Sequence, residues 1–170
     1  MTLSFWDGAG GDCIGFGCIF TNVISPVNYS GKTMNDNIIY MGVNAPRIHQ
    51  AVIGQLVTGL INLYRSGESR LMAYPGVMID QSQTSPVPDL LLANPQTELT
   101  EVLIEITHKQ GVKKDTLKLK ELMTIYDVPE GFVYDYKLDV WHRYELHNLD
   151  VDQSTAYCRT IDSSLSDFLF

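Results

Sequence analysis

Positive charge is scarce in this chain: 12 lysines and arginines stand against 20 aspartates and glutamates, a formal net charge of −8. That balance excludes a protein that attracts nucleic acid over its whole surface, because broad phosphate binding rests on clustered Lys and Arg. Long apolar runs are also missing. None approaches the ~20 residues that cross a bilayer. The first cationic residue is Lys32, so no basic start of a secretory leader is expected, and the chain reads as cytoplasmic with no membrane partner. Cysteine is sparse. Cys13, Cys18 and Cys158 form an odd set without metal-ligand spacing, which points to reduced thiols rather than a disulfide framework or a zinc site. Internal repeats and low-complexity segments are absent as well.

What is present is an ordinary globular composition, 45% hydrophobic and 19% charged over 170 residues, enough for one domain with a substantial core. Residues 1–40 are rich in Gly, Asn, Ser and Thr and read as an irregular lead-in packed on the domain, ending in a strand at Ile38 to Tyr40. Their Gly-Ala-Gly-Gly-Asp-Cys-Ile-Gly-Phe-Gly segment lacks the Gly-Lys-Ser/Thr ending and the full spacing of a phosphate loop, so it reads as turns. Residues 41–170 read as a single domain. Five lysines between 109 and 120 make a local basic patch on this acidic background, so any nucleic-acid contact should be confined and salt-sensitive.

Asn44-Ala45-Pro46 suits a helix start, and Arg47 to Tyr64 carries Ile53, Leu56, Val57, Leu60 and Ile61 on one broad apolar face. Such a helix should be heavily buried, in part against a second copy of the chain. Leu71 to Ile79 reads as a strand, Asp80 to Pro88 as a loop, Asp89 to Ala93 and Val102 to Thr107 as two more strands. Lys113 to Tyr126 is helical, with Leu119, Leu122, Met123 and Tyr126 at i, i+3, i+4, i+7. Phe132 to Tyr136 and Val140 to Tyr144 are strands around a Lys-Leu-Asp turn, and Ala156 to Thr160 adds another. The order predicts an α/β fold with a mixed central sheet flanked by helices.

Two acids stand out. Asp89 opens an apolar strand, and Glu105 lies inside Leu-Ile-Glu-Ile-Thr. A carboxylate at a buried strand position is costly unless it is paired, protonated or bound to a cation. On neighbouring strands the two could share one Mg²⁺ or Mn²⁺, a hard cation that takes one or two carboxylates and keeps several waters. The same letters also admit a plainer reading, with Glu105 on a solvent face and Asp89 as a turn residue after Pro88.

The order of these pieces resembles the Uma-type restriction-endonuclease family of the PD-(D/E)XK nuclease superfamily, over about Met41 to Tyr144. Asn44-Ala-Pro-Arg-Ile-His-Gln, Pro88-Asp89, Glu105-Ile-Thr, Lys114-Asp115 and Val128-Pro-Glu-Gly-Phe-Val-Tyr-Asp carry the likeness. It implies a restriction-endonuclease-like fold and metal-dependent hydrolysis of DNA, with RNA still open as substrate, by a homodimer. Asp89 and Glu105 would hold the metal, with His49 approaching from the first helix; a core histidine bonded to a backbone carbonyl is the other reading of His49. Two features depart from the pattern. Thr107 stands where Glu-x-Lys needs its lysine, and no acid precedes the first helix. At 100° per residue, Lys118 falls beside Leu122 and Ile125 at the rim of the second helix and is the replacement lysine expected here. Lys109, Lys113 and Lys114 suit phosphate contacts or simply a solvated face, and Asp115 suits the helix N-terminus. The alternative function is a nuclease-fold protein that has lost catalysis and serves as a binding or assembly module.

Overall fold

Val52, Ile53, Leu56 and Leu60 recur at helical spacing and are all buried, which gives helix α1 (Arg47–Arg65) one apolar stripe. A heavily buried helix with one broad apolar face was the expectation. Instead Ala51, Gly54, Thr58 and Asn62 are exposed, because these small and polar residues fill the opposite face. The structure is a computed structural model that describes residues 46–82 and 84–169, and Tyr40–Phe170 is one compact unit. The expected lead-in, its strand and the Asn44 cap lie outside the described residues. Pro46 opens α1 at φ −53° without a side-chain cap.

After α1 come β1 (Met72–Pro75), β2 (Leu90–Ala93), β3 (Thr100–Thr107), α2 (Val112–Ile125), β4 (Glu130–Asp135), β5 (Val140–Glu145) and β6 (Asn148–Gln153). A two-stranded ribbon, β7 (Tyr157–Cys158) with β8 (Ser163–Ser164), and a 3-10 turn at Leu165–Phe168 close the described chain. The expected strand over Leu71 to Ile79 is cut short at Pro75, since proline lacks the N–H that would continue the ladder and Gly76 turns away at φ 60°. β6 was not expected. Its Asn-Leu-Asp-Val-Asp-Gln pattern is mostly exposed and has little apolar signal to read.

The six strands lie in sequence order. All neighbours pair antiparallel except β3 and β4, which α2 joins in parallel. That is the mixed central sheet flanked by helices which the sequence predicts. Strand alternation sorts the core into two layers. Leu92, Val102, Ile104 and Phe132 face α1, whereas Leu91, Leu103 and Val133 face Leu119, Leu122 and Met123 of α2. Gly131 lets α2 approach β4 closely, because a Cβ there would lie 2.5 Å from Met123 Sδ. No helix among the described residues is long and apolar enough to cross a membrane.

Candidate active site

Alternation along β3 puts Glu105 and Thr107 on the α2 layer with Leu103, since residues i, i+2 and i+4 share a face. The β2–β3 register starts by pairing Leu90 with Ile104, so Asp89 stands just before the ladder, near enough to Glu105 for its charge to act on that carboxyl. Asp89 is held there. Beyond Leu90 the ladder ends, and the Ile106 N–H donates at 2.8 Å to Asp89 Oδ2 in place of a backbone acceptor. His49 Nε2, from the first turn of α1, lies 3.2 Å from the same oxygen. That bond raises the His49 pKa above its usual value, against the burial that lowers it. His49 Nδ1 is buried without a hydrogen-bond partner. The histidine therefore leans on the Asp89 carboxylate, and the backbone of Ile106 adds to the same rise.

Glu105 is only 3% exposed, and this burial pushes its pKa up to about 7, with Asp89 and Asp115 adding to the rise and Lys118 opposing it. The Lys118 ammonium, arriving from α2, sits 2.8 Å from Glu105 Oε1 and donates at 2.9 Å to the Val87 carbonyl. The ion pair is close but off the line of a hydrogen bond, which leaves Oε1 without an aligned donor. Asp115 lies in the first turn of α2, where its charge complements the helix N-terminus, although it makes no capping bond. Lys109, Lys113 and Lys114 are exposed around that turn and join no ion pair among the described residues.

Thr107, in the place of the strand lysine, is buried under the turn that starts α2. A Cβ on Gly111 would come within 2.1 Å of Thr107 Oγ1 and 3.0 Å of Asp115 Oδ2. The backbone passes so close over the strand that a long side chain at 107 has no route out. Gly111→Ala is accordingly expected to destabilise the fold by about 1–3 kcal/mol, the usual cost of overpacking, read from the midpoint of urea unfolding.

These residues fit a divalent cation on their chemistry. Two carboxylates lie near enough for the charge of one to act on the other, one is nearly desolvated, and one of its oxygens lacks an aligned donor. Among the described residues no three His, Cys, Asp or Glu side chains are grouped to hold a metal, so any donor set here would be the two carboxylates. That set suits Mg²⁺ or Mn²⁺ and not a thiolate- or imidazole-seeking ion.

A second buried cluster, which the sequence reading missed, lies under the C-terminal segment. Arg143 donates from Nε to Glu130 Oε1 and from an Nη to Glu145 Oε1, both at 2.5 Å, and from the other Nη to Gln153 Oε1 at 2.7 Å. Glu130 also accepts the N–H groups of Arg159 and Thr160, the Thr160 hydroxyl and the Cys158 thiol. The signal was there to read: an arginine and a glutamate inside apolar strands need partners.

No protein-family model matches the chain, and no curated protein matches it. Among solved structures, the chain resembles a protein from Anabaena variabilis ATCC 29413 that is described as a candidate nuclease belonging to DUF820. The likeness covers 71% of this chain and 79% of that one, with a TM-score of 0.52 and 13% sequence identity. At that identity it is the fold that the two share, and in this chain Asp89 and Glu105 lie at the β2–β3 end of the mixed sheet.

Proposed function

We propose that the protein is a Mg²⁺- or Mn²⁺-dependent deoxyribonuclease of the Uma-type branch of the PD-(D/E)XK nucleases. One observation carries this reading: the Lys118 ammonium lies 2.8 Å from the buried Glu105 carboxylate, on which the charge of Asp89 also acts. The strand lysine is missing, and a lysine from the following helix reaches the same carboxylate.

Asp89 and Glu105 would hold the metal. A divalent ion held there would act as a Lewis acid on a water or phosphate oxygen and would supply counter-charge to the phosphate. The chain's own residues do the rest. The Ile106 N–H and His49 hold the Asp89 carboxylate in one orientation. Lys118 has three N–H donors, of which the Val87 carbonyl engages one while Glu105 pairs with its charge, so donor capacity remains for a phosphate oxygen or the attacking water. Its charge offsets the negative charge that builds on phosphorus. Exposed Lys109, Lys113 and Lys114 would guide the backbone toward this point, in a contact that weakens with salt. We further propose a cytoplasmic homodimer, since paired sites suit the cutting of two strands.

The test is cleavage of duplex DNA, single-stranded DNA and RNA in Mn²⁺ by wild type, Asp89→Ala and Glu105→Ala. Cleavage by wild type that falls to background in both variants is expected. Cleavage that survives both substitutions, or none by wild type with any divalent ion, overturns the assignment. Thermal melting with Mn²⁺ reads binding separately: at about 100 times Kd the ion should add ~2.7 kcal/mol of stability, and Asp89→Ala should remove that gain.

A further inference from the structure

The carboxylate site opens beside a group of rings and cations that the proposed hydrolysis does not use. Tyr136 follows β4 directly, and its N–H donates to the Thr107 carbonyl at 3.1 Å, which holds it two residues along from Glu105. Its half-buried ring meets the edge of His49 at 6.5 Å between centroids and 79° between planes. His49 is the same residue that touches Asp89, so one side chain separates the Tyr136 ring from the proposed metal ligands. On the other side His108, exposed at the end of β3, lies tilted by 39° at 6.3 Å. The Lys137 ammonium stands 5.8 Å over the ring, within the range of a cation–π contact.

We propose that His108, Tyr136 and Lys137 form a stacking platform that takes an unpaired base of single-stranded DNA at the mouth of the Asp89–Glu105 site. This inference rests on the nuclease reading for the identity of the ligand. In a duplex the faces of the bases are stacked on one another and out of reach, whereas a single strand offers every base to an aromatic ring. Exposed His108 and Lys137 can part to admit such a base, while His49 and the β3–β4 ladder hold Tyr136 in place. Charge argues the same way. At a net −8 the protein repels phosphate over most of its surface, so the contact that serves it best is one whose strength does not depend on charge. Lys137 and the neighbouring Lys109 then need only steer the backbone past the platform.

The experiment is fluorescence anisotropy with a labelled single strand of about 20 nucleotides, long enough to span such a platform, and with its duplex, on the full chain in EDTA. No cleavage takes place there, so the result stands apart from whether the protein cuts. The single strand should bind tighter than the duplex. Tyr136→Leu, which keeps apolar volume in the core, and His108→Ala should each weaken it by about tenfold, near the low end of the effect of losing one stacked ring. Tyr136→Phe should bind as wild type does. The two weakening variants should keep the wild-type salt dependence and melting temperature, whereas Lys137→Ala should lower the salt slope by about 0.7, the value for one phosphate contact on a single strand. Equal or tighter binding of the duplex, or single-strand binding that Tyr136→Leu and His108→Ala leave unchanged, overturns the platform. If the chain cuts no DNA in Mn²⁺ but these variants still lose single-strand binding, the hydrolytic reading falls and the platform stands.

Discussion

Metal-dependent cleavage is expected to fall by a factor of about 10²–10³ when Lys118 becomes alanine, the usual loss for one preorganised donor at a developing charge. The fold should lose little. Lys118 lies on a helix rim with its side chain 35% exposed, and the glutamate it leaves behind can take a proton, since its pKa already stands near 7 with the lysine in place. A drop in rate with a melting temperature within a few degrees of wild type is therefore the expected pair of results. Moving the lysine tests the geometry further. In Lys118→Ala, adding Thr107→Lys would restore the usual Glu-x-Lys spelling, but the turn at Gly111 lies against the side chain at 107. Activity should stay low and the protein should melt earlier. Initial rates in Mn²⁺ and thermal melts of the three proteins decide it, and wild-type rates in Lys118→Ala would remove the lysine from the proposal.

Much of the frame was legible because periodicity is a local property. Ile53, Leu56 and Leu60 on α1, and Leu119, Leu122 and Met123 on α2, announce their buried faces at helical spacing, and all six are buried. The Leu-Ile-Glu-Ile-Thr alternation places Glu105 on one layer of a strand, but only the folded structure brings the Asp89 charge to act on it. Rotation about α2 brings Lys118 to the rim of the buried face. The same argument put Ile125 there as well, and Ile125 is 62% exposed, because at about 100° per residue it lies about 120° round the helix from Leu119. What periodicity cannot state is partnership across the sheet. Tyr136 joins His49 and His108 only because β4 lies parallel to β3. Arg143 meets Glu130 because β4 and β5 form a hairpin, and Gln153 because β6 folds back on β5. Each strand read alone shows a charge out of place and leaves its partner unnamed.

That arginine carries the largest stability effect expected of any single residue here. Arg143 is 2% exposed and lies between two glutamates that are themselves buried, Glu130 and Glu145. Arg143→Ala leaves Glu130 in the core without its cation and Glu145 with only the exposed Arg159 and His147, and breaking a buried pair in this way costs about 3–5 kcal/mol. Out of the ~5–15 kcal/mol that a domain of this kind has in total, the loss is large enough to shift the urea midpoint far to the left. It should also loosen the C-terminal segment first, because Glu130 anchors the backbone at Arg159 and Thr160. Acid acts on the same cluster. Burial raises the Glu130 pKa, but the bonds from Thr160, Arg143 and Arg159 together outweigh it and hold the folded value below the ordinary 4.5. A lowered folded pKa means that the contribution of Glu130 is complete above the unfolded pKa and disappears as pH falls through the folded one. Wild type should thus lose stability steeply below about pH 4.5, where carboxylates begin to take protons in the unfolded chain. In Glu130→Gln the whole curve should lie lower, since a neutral amide cannot take up the Arg143 charge, yet its fall in acid should be shallower. Urea unfolding of the two proteins from pH 7 down to pH 3 measures both slopes, and parallel curves would show that this glutamate keeps no proton linkage to folding.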